Sequence, residues 1–373
     1  MSQQIVLPGV AKERLLAQVQ AAGLDGMLLT SAENVYYTSG LPTLPGSGNP
    51  ILFALKNQLP SFVYLDAAGS VTLFCWIGAT LGFDFPVDEV RSFFNQESAL
   101  EELADFLRAT TQAGVHIGVE SSCPLTVLRR IAEFAPLDAL TIIDEQILAL
   151  RLKKTGQEIA HIRDATRIVE ATVADLRTHL RPGLSRLQLI QQAKRLMLEH
   201  GADGIGHTTI AFGTSNPEIA YDETLQANQL VTLDLGASTA GYSSDNRRLF
   251  YTGIIPHELH TLHTTMCEIV ARVGQALKPG TTFGDLYTLA GDLYTAHDLP
   301  PFFLSVGHSL GLQTEEVWIS PDSSTTVQPG MVLNIELYTA DTDGSNIGDE
   351  ETFLVTDKTP LRLTQSDPAI QRV

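Results

Sequence analysis

The sequence predicts an α/β domain over residues 1–152 followed by a larger α+β domain over residues 153–373. Helix and strand patterns alternate up to about residue 150, and two long amphipathic patterns follow that point. Strand patterns that carry acidic residues come next. A chain of 373 residues is long enough for two domains with separate cores. We find no low-complexity linker at the predicted boundary.

In the first domain, short strands are separated by helices. Apolar residues at helical spacing over 11–22 end at Gly23, and residues 26–30 read as a buried strand. Residues 62–65 and 71–74 predict a hairpin. Further predicted elements are helices at 100–109 and 124–134 and a strand at 115–119. This alternation is typical of an α/β layer domain.

The second domain begins with two long helices. The first is predicted over 158–180, and the second over 185–200, with Ser185 as its N-cap and Gly201 at its end. Two more helical patterns cover 261–277 and 283–297. The acidic residues lie on the strand patterns between and after these helices.

The composition argues against nucleic acid and membrane partners and indicates a cellular location. A net charge of −19 without a cluster of Lys and Arg argues against nucleic acid and against an anionic membrane surface. The longest apolar region, residues 71–83, is too short to span a bilayer. Three separated cysteines and no visible signal peptide favour a reducing, cytoplasmic location.

Four acidic residues lie on two predicted hairpins. Asp234 and Asp245 are eleven residues apart across glycines, and Glu336 and Glu350 are fourteen apart across a turn at 341–346. His308 adds one nitrogen donor. Buried carboxylates need a compensating cation, and two divalent ions would neutralise all four. One nitrogen among many oxygens favours Mn²⁺, with Co²⁺, Fe²⁺ or Zn²⁺ as alternatives.

Each acidic residue by itself is better explained as a turn former or a helix cap. Asp341 to Gly344 has its glycine too early for an EF-hand loop, and Gly201, Gly204 and Gly206 do not form a dinucleotide fingerprint. The order and spacing of all five residues therefore carry the metal hypothesis.

The order Asp, Asp, His, Glu, Glu, with its flanking residues, resembles the M24 metallopeptidase family of methionine aminopeptidase, aminopeptidase P and prolidase. Residues 24–42 are similar to the opening of the N-terminal domain in the prolidase, aminopeptidase P and creatinase branch. Residues 150–159 are similar to the segment that enters its catalytic domain. The resemblance implies a creatinase-like N-terminal domain and a pita-bread catalytic domain.

The resemblance also implies a site and an activity. The two metal ions would be bound by Asp234, Asp245, His308, Glu336 and Glu350. A hydroxide that bridges the ions would attack an amide bond, typically in an Xaa-Pro peptide, and Glu336 would also shuttle a proton. The implied partner is a small peptide or small amide substrate, and the implied assembly is a homodimer.

One departure from the branch concerns a histidine that normally precedes the first aspartate. No histidine occurs between His207 and His257, and residues 216–221 occupy that neighbourhood. Tyr221 is either a substitute hydrogen-bond donor in catalysis or a packed aromatic residue. For His207, a loop or core histidine is favoured over a substitute donor.

Other departures follow the ligand histidine. A second histidine of the family is replaced by Glu315, the glycine after the ligand is Ser309, and an arginine near the last glutamate is lost around Gly348. Glu315 or Glu316 would bind a cationic group or the free amine of a substrate. The alternative is a solvated acidic turn.

Three functions remain as alternatives. The first is a dinuclear Xaa-Pro peptidase with an altered pocket. The second is an enzyme of the same fold that hydrolyses a non-peptide amide, as creatinase does without metal. The third is a non-catalytic peptide-binding relative, which the intact ligand set disfavours.

Overall fold

The chain divides into two units, Met1–Arg151 and Leu152–Val373. The computed structural model describes residues 3–4, 12–110, 115–219, 221–300 and 304–373. The predicted helix start at residue 11 therefore lies outside the described residues. Within them, no helix is both long enough and apolar enough to cross a bilayer.

Helices and short strands alternate along the first unit. Its helices are α1 (Lys12–Ala21), α2 (Ala32–Ser39), α3 (Ile51–Ala54), α4 (Ile77–Thr80), α5 (Gln96–Thr110), α6 (Leu125–Ile131) and α7 (Asp144–Leu152), with a 3₁₀ turn at Leu137–Ala139. Its strands are β1 (Gln3–Gln4), β2 (Gly26–Leu29), β3 (Phe62–Asp66), β4 (Val71–Trp76), β5 (Phe83–Asp84), β6 (Glu89–Phe93), β7 (Ile117–Val119) and β8 (Leu140–Ile142).

A six-stranded mixed sheet forms the centre of this unit, in the order β6-β4-β3-β2-β7-β8. β3 runs antiparallel to both of its neighbours, and the other pairs are parallel. The hairpin predicted over 62–74 is therefore confirmed. Phe62, Phe74 and Phe106 pack beside the sheet in one apolar cluster. The α/β prediction for this unit is confirmed.

The second unit combines long helices with two sheets. Its helices are α8 (Gly156–Arg177), α9 (Arg186–Glu199), α10 (His257–Gln275) and α11 (Phe283–Ala296). Its strands are β9 (Gly204–Phe212), β10 (Leu230–Thr239), β11 (Tyr242–Ser243), β12 (Asn246–Tyr251), β13 (Gly307–Ser309), β14 (Val332–Ala340), β15 (Asn346–Leu354), β16 (Leu361–Arg362) and β17 (Gln371–Arg372).

Each sheet of this unit has its own helical cover. β9, β10 and β12 are antiparallel, and residues of α8 and α9 share an apolar cluster with β9 and β10. β13 to β16 form a second antiparallel sheet, and residues of α10 and α11 share a cluster with β14 and β15. The faces turned away from these helices are free to carry polar groups.

Most predicted helix starts are confirmed, and the ends differ by a few residues. Ser185 caps α9, where its hydroxyl accepts the Gln188 N–H. α8 ends at Arg177, three residues before its predicted end, because the backbone N–H groups of residues 178–180 bond to carbonyls three residues back and tighten the last turn. α10 begins four residues before its predicted start, directly after Pro256, which is well suited to a helix start.

Candidate metal centre

Two aspartates belong to the hairpin of β10 and β12. Asp234 lies in the middle of β10, opposite Arg247, and Asp245 directly precedes β12. The side chain of Asp234 is 16% exposed and that of Asp245 is 7% exposed. The hairpin predicted from the eleven-residue spacing is therefore present.

Two glutamates belong to the hairpin of β14 and β15. Glu336 and Glu350 are direct cross-strand partners. His308 on β13 lies beside them, with its Nε2 atom 3.5 Å from Glu336 Oε2 and 3.5 Å from Asp245 Oδ2. Ligand atoms of Asp245, His308, Glu336 and Glu350 all lie within 4.8 Å of one another. The structure thus brings four of the five predicted ligands into one cluster.

His207 joins Asp234 to this cluster. Its Nε2 atom lies 2.9 Å from Asp234 Oδ1 and 3.1 Å from Asp245 Oδ1. β9 places His207 opposite Gly236 of β10, where the register shifts by a bulge. A Cβ atom on Gly236 would lie 2.4 Å from His207 Nδ1, so the glycine makes room for the ring. His207 therefore contacts both aspartates and is not an isolated core histidine.

Several buried polar atoms of this cluster have no hydrogen-bond partner among the described residues. They are both ring nitrogens of His308 and Oε2 of Glu350, whose side chain is fully buried. Atoms bound about 2.1 Å from one ion lie about 3.0 Å apart at a right angle and about 3.4 Å apart at the tetrahedral angle. The measured separations of 2.9 to 3.5 Å fit that spacing. The residues present therefore fit divalent metal ions.

The pKa values show the same shortage of positive charge. Burial and the nearby Asp245, Asp234 and Glu336 raise the pKa of Glu350 well above its usual range. Burial alone would lower the pKa of His308, but Glu336 and Asp245 raise it to about 9. His207 behaves alike, because Asp245 and Asp234 overcome its burial and raise its pKa well above the ordinary value. In the absence of metal, bound protons therefore offset part of the negative charge of the cluster.

A cavity of about 360 Å³ opens onto the cluster. Its wall includes Asp234, Asp245 and Glu336 together with Arg247 and Glu315. A small peptide can therefore approach the acidic cluster from one side.

The Metallopeptidase family M24 model matches residues 160–357 of this chain, which is more than half of it. The chain belongs to metallopeptidase family M24. A second family model, the creatinase/prolidase N-terminal domain, matches residues 12–153. The chain is therefore a metallopeptidase with a creatinase-like domain before its pita-bread catalytic domain, as the sequence predicts.

Relatives of this M24 peptidase match it along almost its whole length. It is 27% identical over 364 residues to the uncharacterized peptidase YqhT of Bacillus subtilis, a match that covers 92% of this chain and 94% of that protein. It is 26% identical over 364 residues to the Xaa-Pro dipeptidase of Pyrococcus furiosus, which covers 95% and 97%.

Solved structures share the fold of the peptidase. A prolidase from Pyrococcus horikoshii superimposes with a TM-score of 0.81 at 23% identity and covers 95% of this chain and 98% of that one. The N-terminal domain of the FACT complex subunit SPT16 from chickpea superimposes with a TM-score of 0.75 at 14% identity and covers 97% and 98%. Because the fold occurs in proteins as different as these, function has to be argued from the site.

Two predicted catalytic residues differ in their placement. Tyr221 is not among the described residues that line the cavity, and its ring lies against the Arg186 guanidinium at 4.9 Å. Glu315 lines the cavity, and its carboxylate accepts a hydrogen bond from Trp318 Nε1 at 2.8 Å. Glu316 turns inward and forms a buried salt bridge with Lys154 at 3.0 Å, so it cannot serve a substrate.

The sequence patterns favour a loop or core role for His207 and assign no role to Arg247. Arg247 lies two residues after Asp245, and alternation along a strand puts both side chains on one face, so this signal was readable. Its guanidinium stacks on Tyr338, the cross-strand partner of Gly348, where the resemblance expects an arginine. No comparable signal exists for His207, because its contact depends on the pairing of β9 with β10.

Proposed function

We propose that this M24 peptidase is a dinuclear enzyme of Xaa-Pro dipeptidase type. The observation that carries the proposal is the cluster of carboxylates around His308. The ring nitrogens of His308 and the Oε2 atom of Glu350 have no hydrogen-bond partner among the described residues. The near full-length similarity to an Xaa-Pro dipeptidase supports the choice of substrate class.

Asp234, Asp245, His308, Glu336 and Glu350 would hold two divalent ions, with Mn²⁺ as the first candidate. Such ions supply a hydroxide near neutral pH and polarise the amide carbonyl. The contribution of the protein is to fix the four carboxylates on two hairpins and His308 on the neighbouring strand β13. Paired strands keep the geometry of donors better than loops would.

His207 is the sixth donor in this proposal. Its Nε2 atom approaches oxygens of Asp234 and Asp245 at distances that suit ligands of one ion as well as hydrogen bonds. A second imidazole would give each ion one nitrogen donor. Imidazole ligands favour Zn²⁺ and Fe²⁺, whereas carboxylate ligands favour Mn²⁺. His207 would therefore shift the metal preference of its site toward Zn²⁺ and Fe²⁺.

Glu336 is the proposed proton carrier. Its side chain is 25% exposed and lines the cavity, whereas Glu350 is fully buried. A carboxylate at the cavity wall can take a proton from the attacking water and deliver it to the leaving nitrogen.

Glu315 is the proposed partner of the substrate's free amine. Its carboxylate lines the same cavity, and the hydrogen bond from Trp318 fixes its position. A positively charged amino group would gain a charge-assisted hydrogen bond there. Tyr221 has no role in this proposal, because its ring is packed on Arg186. The homodimer and the cytoplasmic location stay predictions.

A substrate panel tests the proposal. Protein stripped of metal and reloaded with Mn²⁺ or Co²⁺ is offered Ala-Pro, Ala-Ala and a non-peptide amide such as benzamide. We expect cleavage of Ala-Pro that depends on metal, and its loss in Glu336→Gln but not in Asp292→Asn, an exposed control on α11. Cleavage of the non-peptide amide alone would contradict the substrate class, and activity without metal would contradict the mechanism.

A further inference from the structure

A buried ion pair lies behind the wall of the acidic cavity. Lys154 Nζ is 3.0 Å from Glu316 Oε2, and both side chains are 1% exposed. The neighbouring Glu315 lines the cavity. Breaking a buried ion pair is costly, but replacing both partners by neutral groups often costs no stability. The stability of the fold therefore does not by itself explain why two charges are kept here.

The Glu316 carboxylate closes the turn that precedes it. Its Oε1 atom accepts the Leu312 N–H at 3.0 Å, and the Glu316 backbone N–H donates to the Ser309 carbonyl at 3.1 Å. The carboxylate lies against Gly311, where a Cβ atom would overlap it, so the glycine makes room for it. One oxygen of the carboxylate thus binds Lys154, and the other binds the turn.

Lys154 connects this turn to the start of β14. Its backbone N–H donates to the Gly330 carbonyl at 2.9 Å, and Lys153 forms an antiparallel bridge with Met331, directly before β14. Paired strands hold their backbone more firmly than loops do. The ammonium group therefore starts from a fixed backbone and ties the Glu316 carboxylate to it.

Glu315 depends on this arrangement because it directly precedes Glu316. The two neighbours point in opposite directions, since Glu316 is buried and Glu315 lies on the cavity wall. The Glu315 carboxylate also accepts a hydrogen bond from Trp318 Nε1 at 2.8 Å, but the Trp318 side chain is itself exposed. The buried contact that fixes this part of the turn is the one between Glu316 and Lys154.

We propose that the Lys154–Glu316 pair positions Glu315 for the free amine of the substrate, an inference that rests on the proposed peptidase function. Lys154 and Glu316 act through Glu315 and are positioning residues. A carboxylate on a mobile turn has to be ordered when the substrate binds, and this entropy reduces the gain from a charge-assisted hydrogen bond. A turn fixed from behind orders Glu315 before the substrate enters.

The test compares Ala-Pro with propionyl-Pro, which lacks only the amino group. We expect the wild type to prefer Ala-Pro by roughly 10- to 100-fold in kcat/KM, because a hydrogen bond to a charged group has about this effect. In Lys154→Met/Glu316→Gln this preference falls toward that of Glu315→Gln, while the free energy of unfolding changes little because no charge is left buried. Arg195→Met/Glu199→Gln neutralises an exposed pair of α9 and keeps the wild-type preference.

Gly311→Ala tests the same pair without removing a charge. The added Cβ atom displaces the Glu316 carboxylate, so the preference for Ala-Pro should fall here too. Gly291→Ala is the matched control, since its Cβ atom meets nothing within 4 Å. The preference is a ratio, so partial unfolding or metal loss, which lowers both rates alike, does not change it. A wild type without preference, or a wild-type preference in a stable Lys154→Met/Glu316→Gln variant, would overturn the inference.

A second readout needs neither metal nor activity. The chain has two tryptophans, so Trp76→Phe leaves Trp318, the hydrogen-bond donor to Glu315, as the only one. In this background we expect Lys154→Met/Glu316→Gln to change the Trp318 emission in the same sense as Glu315→Gln does. Should the wild type cleave neither compound, the proposed function fails and the emission decides the positioning role. An emission unchanged by the pair variant but changed by Glu315→Gln would then overturn it.

Discussion

Asp349 and Glu350 are neighbours on β15, yet their side chains enter two clusters of similar composition. Asp349 joins His263 and Cys267, with ligand atoms within 4.8 Å, and Glu350 joins the cluster around His308 at the same spacing. Alternation along a strand explains why adjacent residues reach opposite faces. The two clusters differ in what satisfies their polar atoms.

The cluster around Asp349 contains its own positive charge. Arg248 approaches Glu351 at 3.1 Å and Asp349 at 4.0 Å, and its Nε atom donates to Ser366. His263 accepts the Ile370 N–H at 3.2 Å, and burial lowers its pKa to about 4. No buried side-chain atom of Asp349, Glu351, His263 or Arg248 lacks a hydrogen-bond partner among the described residues.

The cluster around Glu350 lacks such compensation. His308 and Glu350 keep buried atoms without hydrogen-bond partners among the described residues. The comparison teaches that residue types alone do not identify a metal site. Unpartnered buried atoms and an open cavity distinguish it from a salt-bridged core.

The largest expected effect separates the two neighbours directly. Glu350→Gln removes a proposed ligand, and we expect it to lower kcat/KM by more than about 100-fold, because even partners of ligands affect metal sites by about 10–100-fold. Asp349 lies on the other face of β15, so the Asp349→Asn variant should keep the metal ions of the Glu350 cluster and most of its activity. Equal losses in both variants would contradict the distinction.

Removing the internal cation should unfold the other region. Arg248→Met leaves buried Asp349 without its nearest cation and leaves Glu351 only Arg362, at 3.6 Å. We expect the free energy of unfolding to fall by about 3–5 kcal/mol in urea denaturation. The control Arg195→Met, on an exposed pair, should change it by less than about 0.5 kcal/mol. A loss no larger than that of the control would show that Arg248 does not compensate these carboxylates.

A smaller effect tests the place of His207 in the metal cluster. Gly236→Ala puts a Cβ atom 2.4 Å from His207 Nδ1 and 2.7 Å from the Ser244 carbonyl oxygen, and it should displace the ring. We expect metal affinity, measured by calorimetry, to fall by about 10–100-fold, together with a change in the visible spectrum of bound Co²⁺.

His207→Gln should reproduce this change, and the double variant should add nothing further. Gly291→Ala is the matched control, because a Cβ atom there meets no neighbour within 4 Å. Wild-type Co²⁺ spectra in both His207 and Gly236 variants would contradict His207 as a ligand.

The smallest effect is a release of protons on metal binding. At pH 7.5 His308, with a pKa raised to about 9, is protonated in the metal-free protein, and it must lose its proton to bind an ion. Metal affinity should therefore rise with pH and level off above about 9. Calorimetry in buffers of different ionisation enthalpy measures the protons released, and heats independent of buffer at pH 7.5 would contradict it.

The fold and five of the six proposed donors could be predicted from the sequence, because local patterns determine them. The turn at 341–346 sets the register that pairs Glu336 with Glu350, and Ser185 marks a helix start by its own hydroxyl. The position of His207 depends on a bulge between β9 and β10, and the different surroundings of Asp349 and Glu350 depend on Arg248 and His263. These are contacts between distant segments, which patterns along one chain do not encode.

The central claim is that the cluster around Glu350 is a dinuclear metal centre that hydrolyses peptides. The most direct measurement counts the ions bound per chain while hydrolysis of Ala-Pro is followed during metal titration, for the wild type and Asp245→Asn. We predict two ions in the wild type, activity that rises with their binding, and neither full loading nor activity in a folded Asp245→Asn. A wild type that binds no ion, or an Asp245→Asn variant as active as the wild type, would contradict the claim.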